Sequence, residues 1–165
     1  MLESDNYKEI NQIAWDKKVA IHLTSDFYNV AAFKNGWCSL KTPELHLLGD
    51  IQGKKILHLQ CHFGQDSISL ARMGAQVTGV DFSPKAIDAA QSLSSEMGIE
   101  TQFICCDIYS LKEHLNEKFD LVFTSYGTIG WLPNISKWAE IISHFLKPGD
   151  LNLGQETLRY RCTLH

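Results

Sequence analysis

From Lys55 onward, short β-prone runs alternate with helix-length segments, and this alternation restricts the fold more than any other feature of the chain. Lys55-Ile56-Leu57-His58-Leu59 is the first run. Gly64 marks a turn, and Ser67 to Met73 reads as a helix closed by Gly74. Gln76-Val77-Thr78-Gly79-Val80 is the second run. Ser83 then stands at a helix N-cap with Pro84 behind it. A serine oxygen accepts a backbone N–H there, and proline has no N–H to lose. That helix should bury Ile87, Ala90, Leu93 and Met97 and stop at Gly98. Gln102 to Cys106 and Phe119 to Phe123 form the third and fourth runs. In a last helix Trp138, Ile141, Ile142 and Phe145 fall at i, i+3, i+4 and i+7, an apolar stripe. Lys147-Pro148-Gly149 ends it. The order predicts βαβ units with right-handed crossovers, hence an α/β, doubly wound parallel sheet with helices on both faces. A ligand of such a sheet sits outside the carboxyl ends of the strands, at the switch point beside the first one.

Residues 1–50 read as an N-terminal helical segment ahead of the domain at 51–165. Ile10, Ile13, Ala14 and Ile21 lie near one face of a helical period within a stretch from Ile10 to Phe33, one bent helix or two. Asn35-Gly36 breaks the pattern and Thr42-Pro43 restarts it. The length of 165 residues suits one domain with its own core. A net charge of −4 with no basic run argues against nucleic acid as a partner. No apolar stretch approaches the roughly 20 residues of a membrane span. The five cysteines lack framework spacing, so reduced thiols and a cytoplasmic location are expected.

Each of the first three strands ends in residues suited to a nucleoside. After the first, Gln60-Cys61-His62-Phe63-Gly64 feeds a helix N-terminus, where backbone N–H groups and the helix dipole can hold an anion. Gln60 and His62 occupy positions where glycine is common. An ordinary strand-to-helix turn is the alternative. Asp81, 17 residues past Gly64 at the end of the second strand, has the spacing of a carboxylate that accepts from ribose hydroxyls. Capping the next helix is its alternative role, which Ser83 already fills. Asp107, after the third strand, can accept from an exocyclic amine while Ile108 packs on the ring; a solvated loop carboxylate is the alternative, with equal weight.

The stretch from Ile56-Leu57-His58-Leu59-Gln60-Cys61-His62-Phe63-Gly64-Gln65-Asp66 through Val77-Thr78-Gly79-Val80-Asp81-Phe82-Ser83 resembles the cofactor half of class I S-adenosylmethionine-dependent methyltransferases, in a bacterial-type small-molecule subgroup. The resemblance continues through Phe119 to Gly127, Trp131-Leu132-Pro133 and Leu146 to Gly149. It implies a Rossmann-like fold, S-adenosyl-L-methionine as cofactor and a small-molecule substrate. It also implies that the turn Gln60, Cys61, His62 and Gly64 packs on the methionyl part. Asp81 would bind the ribose, with Phe82 and Ser83 beside it, and Phe82 would flank the adenine. Cys106, Asp107 and Ile108 would fix the adenine edge. Ser125 and Tyr126 would lie beside the sulfonium. Tyr126 and His22 are the candidates for a general base. The helical segment, with Trp15, His22, Phe27 and Tyr28, either lids the pocket or packs the core.

The chain departs from that family at its end. Asp150 to Leu153 is at best a weak fifth strand, and the polar tail to His165 is too short for the family's last two strands. The expectation is a fold missing its last strands, with the Trp138-Ile141-Ile142-Phe145 stripe uncovered and self-association through an exposed edge. A non-catalytic remnant of the fold, or a cofactor-binding module, is the alternative function. An NAD-dependent oxidoreductase would want a fuller Gly-x-Gly-x-x-Gly turn. His58, Cys61 and His62 lack a fourth partner at metal-ligand spacing, so no metal is expected.

Overall fold

The computed structural model describes residues 7–125 and 127–148. Three helices come first: α1 (Tyr7–Leu23), α2 (Val30–Lys34) and α3 (Thr42–Leu48). The sheet and its helices follow as β1 (Lys55–Leu59), α4 (Gln65–Arg72), β2 (Gln76–Asp81), α5 (Pro84–Glu96), β3 (Gln102–Cys105), β4 (Leu121–Thr124) and α6 (Ile135–Phe145). Short 3-10 turns lie at Ile108–Glu113 and Ile129–Trp131. The strands are parallel, in the order β3-β2-β1-β4. The chain therefore winds outward from β1 to β3 and then crosses to the other side of β1. The loops after β1 and β4 diverge there, and this divergence makes the crevice.

Strand alternation sorts the core into two layers. Leu57, Leu59, Val80 and Val122 point to one face and meet Trp138, Ile141, Ile142 and Phe145 of α6. Ile56, Val77, Leu121 and Phe123 point to the other and meet Leu40, Leu48, Ile51 and Leu70. A third cluster, Phe33, Phe63, Ile68 and Leu93, joins α2 to α4 and α5. Ser83 caps α5 as its sequence predicts: its Oγ accepts from the Ala86 N–H at 3.1 Å. Ile87, Ala90 and Leu93 of that helix are buried.

Two expectations are corrected. The apolar stripe of α6 is not uncovered: all four residues are buried, because Leu111, Leu115 and Phe119 close over them beside the sheet. Burial of a large apolar side chain contributes about 2 kcal/mol, so this helix is a main anchor of the fold. The stretch Ile10 to Phe33 is two helices, and the isoleucines of α1 do not face the core. Ile10, Ile13 and Ile21 are 57%, 48% and 65% exposed. The inward face of α1 is set by polar partners instead. Lys8 pairs with Asp107, Gln12 Nε2 donates to the Phe82 carbonyl at 2.8 Å, and the Ser83 hydroxyl donates to Asp16. These residues recur every fourth position, so they share one side of the helix.

Just ahead of β4, Phe119 forms an isolated parallel bridge with Leu146. The Phe119 N–H donates to the Phe145 carbonyl at 2.8 Å, and the Lys147 N–H donates to the Phe119 carbonyl at 3.0 Å. The chain leaving α6 thus runs alongside the start of β4. The expected weak strand at 150–153 and the tail to His165 lie outside the described residues.

Candidate functional site

The turn after β1 has the backbone that a glycine-rich turn would have. Gln60, His62 and Gly64 have φ of 55°, 52° and 77°. The left-handed region costs a non-glycine residue about 1–2 kcal/mol, so Gln60 and His62 are held there by their surroundings. The Cys61 N–H donates to the Val80 carbonyl at 2.9 Å, and the His62 N–H donates to Asp81 Oδ2 at 2.8 Å. Gly64 cannot be replaced in the same way: a Cβ there would lie 2.8 Å from the Phe103 ring. Gln60 Nε2 donates to the Thr128 carbonyl at 3.1 Å. That bond spans the crevice from the β1 turn to the β4 loop.

Asp81 ends β2 and is buried. Its second oxygen accepts from the Ser83 N–H at 3.0 Å. Burial raises its carboxyl above the usual range, and the N–H bonds from Ser83, His62 and Phe82 pull it back. A carboxylate has about four lone-pair sites, so these three bonds leave it able to accept once more. Asp107 caps the 3-10 turn through its Oδ1, which accepts from the Tyr109 N–H at 2.8 Å; its other oxygen pairs with Lys8. Asp81, Phe82, Cys106, Asp107, Ile108 and Gln60 together line a small cavity of about 60 Å³. Lys8 and Asn11 of α1, and Trp131 to Pro133, close its remaining sides. Ser83 is fully buried behind this wall, its hydroxyl engaged by Ala86 and Asp16.

The end of α1 docks on the same turn. His22 Nδ1 and His62 Nε2 are 2.9 Å apart in a hydrogen bond. Trp15 meets the His62 and Trp131 rings edge-on, each at 5.4 Å between centroids. The Lys18 ammonium lies 4.5 Å from the Trp15 ring centre and 4.8 Å from that of Trp131. Burial lowers the pKa of His22, with Lys18 adding to it. Burial first, then His22 and Lys18, bring His62 to about 3. Both imidazoles are neutral at neutral pH. Trp15, His22 and Tyr28 thus pack against the turn through the His62 ring, whereas Phe27 is largely exposed.

A second cavity, of about 510 Å³, lies on the other side of the turn. Tyr28, Trp37, Ser39, Lys41, Glu44 and Asp66 form its wall, and Ser125 and the turn from Cys61 to Gly64 complete it. Ser39 Oγ donates to Asp66 Oδ1 at 2.7 Å. Burial raises the Asp66 carboxyl against the pull of Ser39 and Lys41, and burial beside Asp66 raises the Tyr28 hydroxyl.

Most of the predicted site residues meet around the turn and the first cavity: Gln60, Cys61, His62, Asp81, Phe82, Cys106, Asp107, Ile108 and His22. Ser125 faces the second cavity, Ser83 is behind the wall, and Tyr126 lies outside the described residues. Sequence reasoning missed Lys8, Gln12, Asp16, Lys18 and Thr128. A signal existed for three of them, the four-residue spacing of Lys8, Gln12 and Asp16. His58, beneath the turn, is buried with Nδ1 2.7 Å from Ser67 Oγ, and desolvation lowers its pKa to about 3. No described helix is long and apolar enough to cross a membrane.

Residues 56–149 match the family model described as "Methyltransferase domain". Among curated proteins, the chain is 28% identical over 148 residues to the ubiquinone biosynthesis O-methyltransferase of Chromobacterium violaceum, covering 90% of this chain and 59% of that protein. A like protein of Xylella fastidiosa, also 28% identical, is covered to 60%, so the chain spans about three fifths of the length of these relatives. Among solved structures, an S-adenosylmethionine-dependent methyltransferase from Mesorhizobium loti is 25% identical with a TM-score of 0.56, covering 70% of this chain and 52% of that one. Phosphoethanolamine N-methyltransferase 1 of Haemonchus contortus, in complex with phosphoethanolamine and S-adenosylhomocysteine, is 18% identical with a TM-score of 0.66. It covers 88% of this chain and 31% of that one, and it shows the likeness of fold.

Proposed function

Because this chain belongs to the methyltransferase-domain family, we propose that it binds S-adenosyl-L-methionine across the carboxyl ends of β1 to β3 and transfers its methyl group to a small-molecule acceptor. The observation that carries the reading is the Asp81 carboxylate. It is hydrogen-bonded to the strained turn and lines a cavity with Phe82 and Ile108 at the switch point. In this reading Asp81 accepts from the ribose hydroxyls, Phe82 and Ile108 flank the adenine, and Asp107 and Cys106 hold its edge. Gln60 to Gly64 carries the methionyl part, with Ser125 and Tyr126 near the reacting centre. Ser83 contributes by holding α5 and Asp81 in place.

The donor set fits such a cofactor. The Gln60 side-chain oxygen is buried and has no hydrogen-bond partner among the described residues, and Asp81 has acceptor capacity to spare. The space does not yet fit. A cavity of about 60 Å³ is well under the roughly 300 Å³ of a small ligand pocket. Lys8 and Asn11 must withdraw, so α1 acts as a lid. Its contacts at Lys8, Gln12 and Asp16 are polar, and water can replace them when that end opens.

A bound sulfonium would supply a methyl group already activated for displacement. The protein's share is then position, exclusion of water and, where the acceptor needs it, proton removal. His22 is neutral and suited to remove that proton. In the tautomer that donates Nδ1–H to His62 Nε2, the lone pair on His22 Nε2 is the accepting atom. Tyr126 is the other candidate. The 510 Å³ cavity beside Ser125 is of a size to admit an acceptor.

The same reading takes residues 1–50 as the lid segment and 51–165 as the cofactor domain. It also takes the location to be cytoplasmic, in keeping with the free thiols Cys38, Cys61, Cys105 and Cys106. Nucleic acid is not a partner in this reading, and copies of the chain associate through the sheet.

Calorimetric titration of the 165-residue chain with S-adenosylmethionine, S-adenosylhomocysteine and NAD tests the assignment. Saturable binding of the first two alone is expected. Binding of NAD in their place, or of none, would overturn it. Mass spectrometry of candidate acceptors with the loaded protein then reads transfer itself.

A further inference from the structure

Gln60 stands where a glycine is common, and it adopts the glycine's conformation at φ 55°. A side chain kept at that cost has something to hold. One half of its amide is engaged, because Nε2 donates to the Thr128 carbonyl at 3.1 Å and ties the β1 turn to the β4 loop. The other half is not. Oε1 is buried and has no hydrogen-bond partner among the described residues. Flipping the amide does not resolve this, since an oxygen would then face the Thr128 carbonyl oxygen. The bond to Thr128 therefore fixes which end is left over, and that end is an acceptor. A buried acceptor without a donor costs about 1–3 kcal/mol, so a ligand that brings a donor recovers that cost.

We propose that the Gln60 side-chain oxygen accepts a hydrogen bond from the α-ammonium group of the cofactor's amino-acid portion. The inference rests on the reading of this cavity as the S-adenosylmethionine site. The donors of that molecule are the adenine amine, two ribose hydroxyls and the α-ammonium. In the cavity Asp107 answers the first and Asp81 the second, at the ends of β3 and β2. Gln60 lies at the end of β1, on the side of Asp81 away from Asp107 in the order of strands. The remaining donor is the ammonium. A glycine at position 60 would offer no side-chain acceptor, and it would leave the Thr128 carbonyl without its amide partner. Gln60 is thus a binding residue through its oxygen and a positioning residue for the β4 loop through its nitrogen.

The test compares two variants and two ligands by calorimetry. Gln60→Gly removes the amide and relieves the backbone; Gln60→Met keeps the length and the backbone strain but removes both polar atoms. S-adenosylhomocysteine carries the α-ammonium, and 5′-methylthioadenosine lacks the amino-acid portion. Loss of a charge-assisted bond predicts that both variants bind S-adenosylhomocysteine about tenfold more weakly, while 5′-methylthioadenosine binds all three proteins alike. Unchanged affinity for S-adenosylhomocysteine in both variants would overturn the role of Gln60 and leave the cofactor reading intact. An equal loss for both ligands would overturn it too, since the side chain would then be shaping the cavity as a whole. A wild-type protein that binds neither ligand would overturn the cofactor reading and this inference with it. Thermal melting separates folding from binding: Gln60→Gly is expected to melt no lower than the wild type.

Discussion

The backbone N–H of His62 donates to the carboxylate of Asp81 across 2.8 Å, and this bond couples the turn after β1 to the end of β2. His62 sits in the left-handed region at φ 52°, which its side chain alone would not favour. The carboxylate also accepts from the Ser83 N–H at 3.0 Å, at the N-cap of α5. One side chain therefore holds a strained turn, a strand end and a helix start. The residue that the family resemblance assigns to ribose binding is first of all a structural residue of the site.

Asp81→Ala should cost stability as well as ligand. Two N–H groups lose their acceptor, at about 1–3 kcal/mol each when buried, so a loss of about 2–4 kcal/mol is expected in denaturant unfolding. Cofactor affinity should fall by roughly a further 2–3 kcal/mol. Asp81→Asn keeps a carbonyl oxygen and should lie between. If Asp81→Ala unfolds at the wild-type midpoint, the carboxylate does not hold the turn.

Acid should destabilise the protein well before its carboxylates are protonated. His58 and His62 have folded pKa values of about 3 against 6.5 unfolded. The unfolded chain binds protons there as pH falls below 6.5 and the folded chain does not. Stability is therefore full above 6.5 and is lost down to about 3, at about 1.4 kcal/mol per pH unit for each histidine. Asp66 and Asp81 have raised pKa values and act in the opposite sense from 3.8 upward. The slope should be read near the top of the window, from pH 6.5 downward. Unfolding curves across that range should show uptake of the two protons of His58 and His62, with His22 and His144, also lowered, adding to it, and His58→Leu should remove one. A flat profile there would show that these imidazoles are protonated in the folded protein.

Much of this fold was legible because burial and pattern agree. Trp138, Ile141, Ile142 and Phe145 keep helical spacing, and all four are buried. Ser83-Pro84 announces a helix start, and the cap is there. In α1 the two disagree. Its isoleucines form a stripe, but Lys8, Gln12, Asp16 and His22 find partners at the strand ends, and the polar side turns inward. Apolar periodicity cannot signal a helix that docks through hydrogen bonds. The site was legible at strand ends, where residue type and spacing both bear on chemistry. The Lys8–Asp107 pair and the Gln60–Thr128 bond join residues far apart in sequence, and no local pattern carries them.

Lys8→Ala should open the site with little cost to the fold. The Lys8–Asp107 pair is partly exposed, and such pairs contribute roughly 0–1 kcal/mol. Its removal frees an oxygen of Asp107 and loosens the first turn of α1, which closes the cavity. Adenine-containing ligands should then associate faster, with equilibrium affinity equal or tighter. Stopped-flow fluorescence from Trp15 and Trp131 would report the rate. A slower association would mean that Lys8 recruits the ligand and does not bar it.

The outer edge of β4 should drive association between copies of the chain. Among the described residues β4 is the end of the sheet, and its strand residues Leu121 to Thr124 pair on one side only, with β1. Among the described residues, the Phe119–Leu146 bridge protects the start of that edge. Unpaired donors and acceptors along a buried, apolar strand are a template for another strand. The four residues Leu-Val-Phe-Thr are all buried by their own faces, so the edge is flanked by no charged side chain of β4. The 165-residue chain should therefore associate with concentration, and Phe119 to Lys147 sets a parallel direction for any strand that adds there. Light scattering over a hundredfold range of concentration checks this. A form extended with the last strands of a longer relative should scatter as a monomer and melt at a higher temperature. A chain that stays monomeric throughout and melts with the extended form would show that β4 is covered by residues 149–165.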